Sequence, residues 1–420
     1  ATQATVVQIS VWRQPEFLKL WVGQTVSLLG SQVTQLALAL TAALVLRATP
    51  AEMGLLGTLN VLPLVVFGLP AGVWVDRARR RPLLICADLG RAILLASVPL
   101  AAAADRLSIP HLYVVSFGLG TLNAVFAVAY GSFLPSVVSR GDLAEGNAKL
   151  ALAEALARVT GPGIGGALVQ LLTAPLAILV DCISFLISAL AFAVMHSHEP
   201  PPQASHRKLG AEMAEGLRAV FGHRLLRPLF IGSNFGVLAD GLVFQSGVVV
   251  LFMTRELRLE PAAVGGVFAG LGIGGLLGAA AAGPATRLFG VGATILGCLG
   301  LWAVGYGGLA LVPESPAAPA VVAALLGAVG AINPVAGANI STVRQSVTPD
   351  RLLGRVTSVV RVGAFAALMA GSLAGGILAE TLGLRATLIL GGLLPVIGGV
   401  ILLFSPIRRL RGFGTLQPAA

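Results

Sequence analysis

The chain has 420 residues, of which 56% are hydrophobic and 11% charged, with 53 glycines and a formal net charge of +10; its mean hydropathy is +0.89. Soluble globular chains carry roughly 25% charged residues, so a water-soluble domain is excluded, and abundant glycine suits helices that pack closely in lipid. The basic residues sit in short breaks between apolar runs, which makes them topogenic charge and argues against a nucleic-acid interface.

Apolar runs of the ~20 residues needed to cross a bilayer fall near 18–46, 51–75, 82–104, 110–135, 145–172, 174–195, 225–253, 261–286, 290–312, 317–343, 354–380 and 384–406. The polar stretch from His196 to Arg227 divides them six and six. The expected fold is an all-α membrane protein with twelve transmembrane helices in two six-helix pseudo-repeats. Its domains are a bundle over 1–195, a cytoplasmic linker over 196–224 and a bundle over 225–420. Nineteen of the 28 Lys and Arg residues lie in segments on the side of the N-terminus, and five (Arg47, Arg106, Arg255, Arg258, Arg385) on the other. That bias predicts cytoplasmic termini. The N-terminal stretch Ala1 to Lys19 is polar, and the first apolar run is too long for a signal peptide, so no cleaved leader is expected. The halves match at an offset near 209: Leu-Trp-Val-Gly at 20–23 answers Leu-Phe-Ile-Gly at 229–232.

The first helix carries a polar stripe of Gln24, Ser27, Ser31 and Gln35 at helical spacing. A stripe of this kind must face protein or water. The second helix ends in Gly72-Val-Trp-Val-Asp76-Arg77-Ala-Arg-Arg80-Arg81. Gly72 permits close approach, Asp76 can accept from a neighbouring helix N-terminus, and the arginines stay in water. Helix three holds Asp88 and Arg91 on one face, and helix four Asn123 and Tyr130. In helix five, Glu154 and Arg158 stand in the favourable order for an ion pair, ahead of Gly161-Pro162 and Gly165-Gly166, which kink and thin the helix. Helix six carries Asp181 about two turns from its outer end.

In the second half, helix seven reads Ser233-Asn234-Phe-Gly-Val-Leu-Ala-Asp240-Gly-Leu-Val-Phe244-Gln245, and by the repeat Asp240 corresponds to Ser31. Ionisable groups inside spans are expensive and mark function by default. The proton-coupling candidates are therefore Asp240, Asp181, Asp88, Glu154, Arg158 and Arg91. The alternative, that the ion pairs only offset their own burial and that Asp240 bonds a helix break, stays open. Gly270-Leu-Gly272-Ile-Gly-Gly275 matches a dinucleotide fingerprint, but no strand precedes it, so these are packing glycines. Helix ten offers Asn333 and Asn339, and Arg361 lies early in helix eleven, where it could face Asp76. Cys86, Cys182 and Cys298 lie in apolar runs and read as small core residues. His196, His198 and His206 lack acidic or cysteine partners, so no metal site is expected, nor any cofactor. With neither a phosphate loop nor clustered catalytic groups, an ATP-driven pump and an enzyme are both set aside.

The Gly72–Arg81 loop resembles the signature of the major facilitator superfamily, between its second and third helices. The second-half counterpart at Gly283-Pro-Ala-Thr286-Arg287 has Thr286 in place of the aspartate. Leu20-Trp-Val-Gly-Gln-Thr-Val-Ser-Leu-Leu-Gly30, Cys86-Ala-Asp88-Leu-Gly-Arg91, Leu134-Pro135, Asn147, Gly161–Gly166 and Val180-Asp181-Cys-Ile-Ser-Phe185 are similar to the branch of enterobactin exporters and macrolide efflux pumps. The resemblance implies a gate at Gly72, Asp76, Arg77, Arg80, Arg81 and Arg361, and an antiporter-like kink at Gly161, Pro162, Gly165 and Gly166. It also places helices one, four, seven and ten around the cavity. Gln24, Ser27, Ser31, Gln35, Asn123, Tyr130, Asn234, Phe244, Asn333 and Asn339 are then cavity candidates, or equally helix–helix contacts. The implied function is proton-coupled efflux of a small amphiphilic drug, siderophore or natural product by alternating access. Import or lipid flipping by the same fold is the alternative. Membrane lipids, an amphiphilic substrate and protons are the expected partners, and a monomer in the bacterial cytoplasmic membrane the expected setting.

Overall fold

The structure, a computed structural model, describes residues 11–76, 78–139, 141–196 and 209–413, with the backbone alone over 68–76 and at 209. All regular structure among the described residues is helical. The long helices are α1 (Pro15–Leu40), α2 (Pro50–Asp76), α3 (Arg80–Ala103), α4 (Ile109–Gly131), α5 (Leu143–Leu171), α6 (Leu179–Val194), α7 (Leu226–Asp240), α8 (Pro261–Phe289), α9 (Val291–Leu309), α10 (Ala318–Val347), α11 (Asp350–Leu382) and α12 (Leu384–Leu403). By length and composition, ten helices among the described residues can cross a membrane, or eleven when α7 and its bent continuation to Glu256 count as one span. The helix outside that count is α5, 29 residues long, whose first half carries Glu145, Lys149, Glu154 and Arg158. Large apolar side chains such as Ile93, Leu171, Leu277 and Leu288 stand exposed around the outside, as lipid-facing positions require.

One set of helix pairings occurs twice. In the first half α1 packs on α5 and α6, α3 on α4 and α6, and α2 on α4; in the second, α7 packs on α11 and α12, α9 on α10 and α12, and α8 on α10. The backbone repeats in detail as well. A π-turn at Thr41–Val45 answers one at Phe252–Glu256. Arg47 and Arg258 share φ 51. Each is followed by a 2.8 Å closing bond, Ala48 N to Ala42 O and Leu259 N to Met253 O. Prolines 50 and 261 then start the next helices, where a missing N–H costs nothing. This second match lies two residues beyond the register of Leu20–Gly23 with Leu229–Gly232. The second half absorbs those residues just after Asp240, through a further π-turn at Gly241–Gln245 and a left-handed Gly247 at φ 72. The helix bends there by 43°.

The two halves meet along two seams, α2 against α11 and α5 against α8. Glycines permit both. A Cβ on Gly54 would lie 2.7 Å from the Cα of Gly376, and one on Gly166 2.8 Å from the Cα of Gly265. Both seams start at the end of the bundle opposite Val11 and Phe413, the second running on to Arg158 and Gly272, and each is fastened by a cap on a helix N-terminus. Glu380 of α11 accepts from Ala51 N at 2.9 Å, and Gln170 of α5 accepts from Ala262 N at 3.1 Å while donating to Glu260 at 2.9 Å. Ser372 Oγ donates to Gly54 O at 2.9 Å, Gln245 to Gly57 O at 3.0 Å and Arg255 to Ala48 O at 2.6 Å.

Two expectations need correction. The stretch read as a solvated polar linker carries a helix, Leu209–Gly222. Met213, Gly216 and Val220, at helical spacing, turn it onto α11, and Arg355 pairs with Glu215 at 2.5 Å. His198 and His206 lie outside the described residues. Cys86 is exposed, unlike the buried Cys182 and Cys298.

The seams yield a direct test. Gly376→Leu forces α2 and α11 apart at a cost of about 1–3 kcal/mol and should open this end. Spin labels at the exposed Arg106 and Glu314, one in each half, should then read a longer distance. Gly300→Leu, where an added Cβ meets nothing within 4 Å, should leave that distance unchanged.

Candidate functional site

Two buried polar clusters stand in the membrane-spanning part, one in each half. In the first half, α3 turns Asp88 and Arg91 inward; they are 0% and 5% exposed and form an ion pair. The guanidinium donates to Asn123 Oδ1 of α4 at 3.0 Å and lies between the rings of Phe126 and Phe185, 4.1 and 4.2 Å from their centroids. Arg91 also faces the Asp181 carboxylate of α6. Asp181, 1% exposed, accepts from Ser184 Oγ at 2.7 Å. Across from it α1 carries Gly30, where a Cβ would fall 2.5 Å from Asp181 Oδ1. On the same face of α1, Gln24 donates to Ser188 Oγ at 3.2 Å. One cation thus stands between two carboxylates, on α3 and α6.

In the second half, Asp240 is the last residue of α7 before the π-turn. Its Oδ1 accepts from Trp302 Nε1 at 3.2 Å and from the Tyr306 hydroxyl, both on α9. Trp302 and Tyr306 are four residues apart, one turn on the same face, and both are buried. Phe244 closes over Tyr306 with ring centroids 5.6 Å apart. Asp240 forms no ion pair among the described residues. Two neutral donors hold the carboxylate, where α7 passes into the π-turn and ahead of the 43° bend between Gln245 and Val248. π-turns in membrane helices often mark working sites.

A broken helix carrying a lone carboxylate in each-way-repeated six-helix bundles belongs to transporter architecture, and the comparisons agree. A family model described as a transmembrane secretion effector of the major facilitator superfamily matches residues 7–414. The chain belongs to that family. It is 32% identical over 362 residues to the multidrug efflux pump Tap of Mycolicibacterium fortuitum, covering 84% of this chain and 86% of that one. Among solved structures, the nucleoside transporter NupG aligns with a TM-score of 0.76 at 11% identity over 93% of this chain and 98% of that one. A bacterial homologue of the iron transporter ferroportin, solved in an inward-facing state, aligns at 0.74 and 17% identity over 94% and 99%. This secretion effector is therefore an integral membrane transporter of the major facilitator fold.

The remaining candidates scatter around these clusters. Ser27 is buried with Gln24 on α1, Ser31 is half-buried and Gln35 exposed. Tyr130 stacks on Phe126 at 5.6 Å. Glu154 and Arg158 pair at 2.6 Å and stand largely exposed, which inside a span requires a wet cavity. Gly161 and Gly165 pack α5 on Gln32 and Val33 of α1, while Gly166 belongs to the α8 seam and Pro162 is buried between them. Asn234 spends its amide on Phe230 O of its own helix, at 2.7 Å. Asn339 is buried and bonds Thr286 of α8 at 2.8 Å, so it joins two helices; Asn333 is exposed. Of the gate residues, Arg80 donates to Ser132 O at 3.0 Å and Arg81 to Phe192 O at 2.7 Å and to Ala193 O. Arg361 lies 5.8 Å over the Phe365 ring. Gly72 and Asp76 fall in the last turns of α2, but their side chains, and Arg77 altogether, lie outside the described residues.

Sequence reasoning missed Trp302 and Tyr306, although two large polar-tipped aromatics one turn apart in a helix otherwise rich in Gly and Leu are a usable signal. It also missed Gln170 and Glu380, whose partners are backbone N–H groups of distant helices. The ion pair invites a stability test. Asp88→Ala leaves Arg91 buried without its ion-pair partner, with only Asp181 facing it, and should cost about 3 kcal/mol, the low end for a broken buried pair, read as a lower melting temperature in detergent. Glu154→Ala, at an exposed pair, should change it little.

Proposed function

We propose that this secretion effector is a proton-coupled exporter of small amphiphilic molecules, working by alternating access between a bundle over 1–195 and one over 225–420. It works as a monomer in the bacterial cytoplasmic membrane, with both termini and the linker over 196–224 cytoplasmic. The observation that carries this reading is Asp240: a carboxylate without a cation, held by Trp302 and Tyr306 where α7 breaks. Charge balance there must come from a proton or from a cationic cargo, and competition between the two is the logic of antiport. The Asp88–Arg91–Asp181 cluster, with two carboxylates to one guanidinium, offers the first half a second site of exchange. The naming of its mycobacterial relative as a multidrug efflux pump supports outward transport.

With cytoplasmic termini, the seams of α2 with α11 and α5 with α8 close the external end, so the conformation is one that loads from the cytoplasm. Glu154 and Arg158 on α5, with Tyr130 on α4, then stand in the aqueous path. The cargo would find mainly apolar walls with a few polar anchors, as amphiphile sites have.

The test is accumulation of ethidium in everted membrane vesicles, followed with and without an imposed pH gradient. Asp240→Asn should lower gradient-driven transport at least tenfold and remove its dependence on the gradient. Tyr306→Phe, which removes one donor and keeps the carboxylate, should give a milder loss. Transport by Asp240→Asn that still follows the gradient overturns the coupling assignment. Gradient-independent uptake in right-side-out vesicles would favour import or lipid flipping by the same fold.

A further inference from the structure

The linker helix Leu209–Gly222 has two usable faces. One lies on α11 through Gly216, where a Cβ would meet Arg355 O at 2.7 Å, and through the buried Val220. The other presents Leu217 and Phe221, one turn apart and 40% and 44% exposed, with Arg218 beside them. An apolar stripe flanked by a cation is how a helix lies in a membrane interface. After Gly222 the chain turns through His223, whose Nδ1 accepts from Leu225 N at 3.1 Å and Leu226 N at 3.3 Å. Burial, with the Arg224 charge beside it, holds this imidazole below the ordinary histidine value, so the neutral ring carries its proton on Nε2 as a free donor.

Here the end of the linker helix, the first turn of α7 and the end of α12 enclose an open cavity of about 440 Å³. Phe221, Ile401 and Phe404 wall it on the apolar side, and His223, Arg224 and Arg227 rim it. Phe404 is 82% exposed, a large aromatic at the level where α12 ends. Arg224 and Arg227 are exposed and take part in no ion pair or hydrogen bond through their side chains among the described residues. Two unpaired guanidiniums next to an apolar trough, at the depth where spans begin and end, match one chemistry: a phosphate ester with hydrocarbon chains attached.

We propose that this cavity binds an anionic phospholipid, with Arg224 and Arg227 on its phosphate and its acyl chains along Phe221, Ile401 and Phe404. The lipid ties the linker helix to the ends of α7 and α12, so the connection between the halves is fastened to the bilayer at this point. The proposal does not depend on proton coupling or on the direction of transport.

The experiment is native mass spectrometry of the purified full chain, titrated with phosphatidylglycerol, phosphatidylcholine or inorganic phosphate. The wild type should retain phosphatidylglycerol in preference to phosphatidylcholine. Arg224→Gln with Arg227→Gln should weaken that adduct at least tenfold, with the melting temperature of the lipid-free protein unchanged. Arg287→Gln with Arg351→Gln, exposed arginines outside the cavity, should leave it intact. Phe404→Ser, which keeps both charges, should weaken it by removing an acyl contact. Equal adducts in the Arg224/Arg227 double variant, or equal retention of the two lipids, would overturn the proposal. Displacement of the lipid by inorganic phosphate at similar concentration would make the site one for a soluble anion, and overturn it equally.

Discussion

Helices surrounded by hydrocarbon gain nothing by hiding apolar side chains from one another, since lipid tails are as apolar as leucine. What holds them together must be close contact and polar bonds. The chain meets this constraint with small residues at its crossings, above all at Gly54 with Gly376 and Gly166 with Gly265, where backbones touch. The same closeness brings the α2 and α8 N-termini within reach of Glu380 and Gln170, so backbone donors that lipid would leave unsatisfied find acceptors in the opposite half. Packing and hydrogen bonding thus act at the same places, and the joint between the halves is where both are concentrated.

Much of this was legible in the sequence because it depends on long-period, one-dimensional signals. Apolar runs mark all twelve long helices, although charge weakens the signal on α5, whose Glu154 and Arg158 stand exposed. The repeat was visible in Leu20–Gly23 and Leu229–Gly232, and so was the correspondence of Asp240 with Ser31. The insertion that shifts the register after Asp240 was not, because a π-turn leaves no compositional mark. Side-chain partnerships across helices were the least legible. Arg91 could be paired with Asp88 from spacing alone, but its place between Phe126 and Phe185 and its approach to Asp181 depend on how three helices rotate against one another. The linker helix escaped notice because its apolar face, Met213, Gly216 and Val220, is narrow and lies in a polar stretch.

The halves repeat as backbones but differ as chemistry. The first buries a cation with its carboxylates and seals them under aromatic rings; the second offers a single carboxylate to two neutral donors. Gly30 makes room for Asp181 in one half, while in the other the break after Asp240 gives α7 a point of slack. A duplicated scaffold has kept its pairings and let its titratable groups diverge, so similar motions of the two halves have different electrostatic consequences.

The same divergence reaches the seams. At α2 with α11 the cap is the carboxylate of Glu380, and a charged acceptor on a helix N-terminus is stronger than a neutral one. At α5 with α8 the equivalent cap is the amide of Gln170. Two joints built to one plan are therefore unequal in strength. Parting the first seam takes a carboxylate off a helix N-terminus, whereas parting the second takes off a neutral amide.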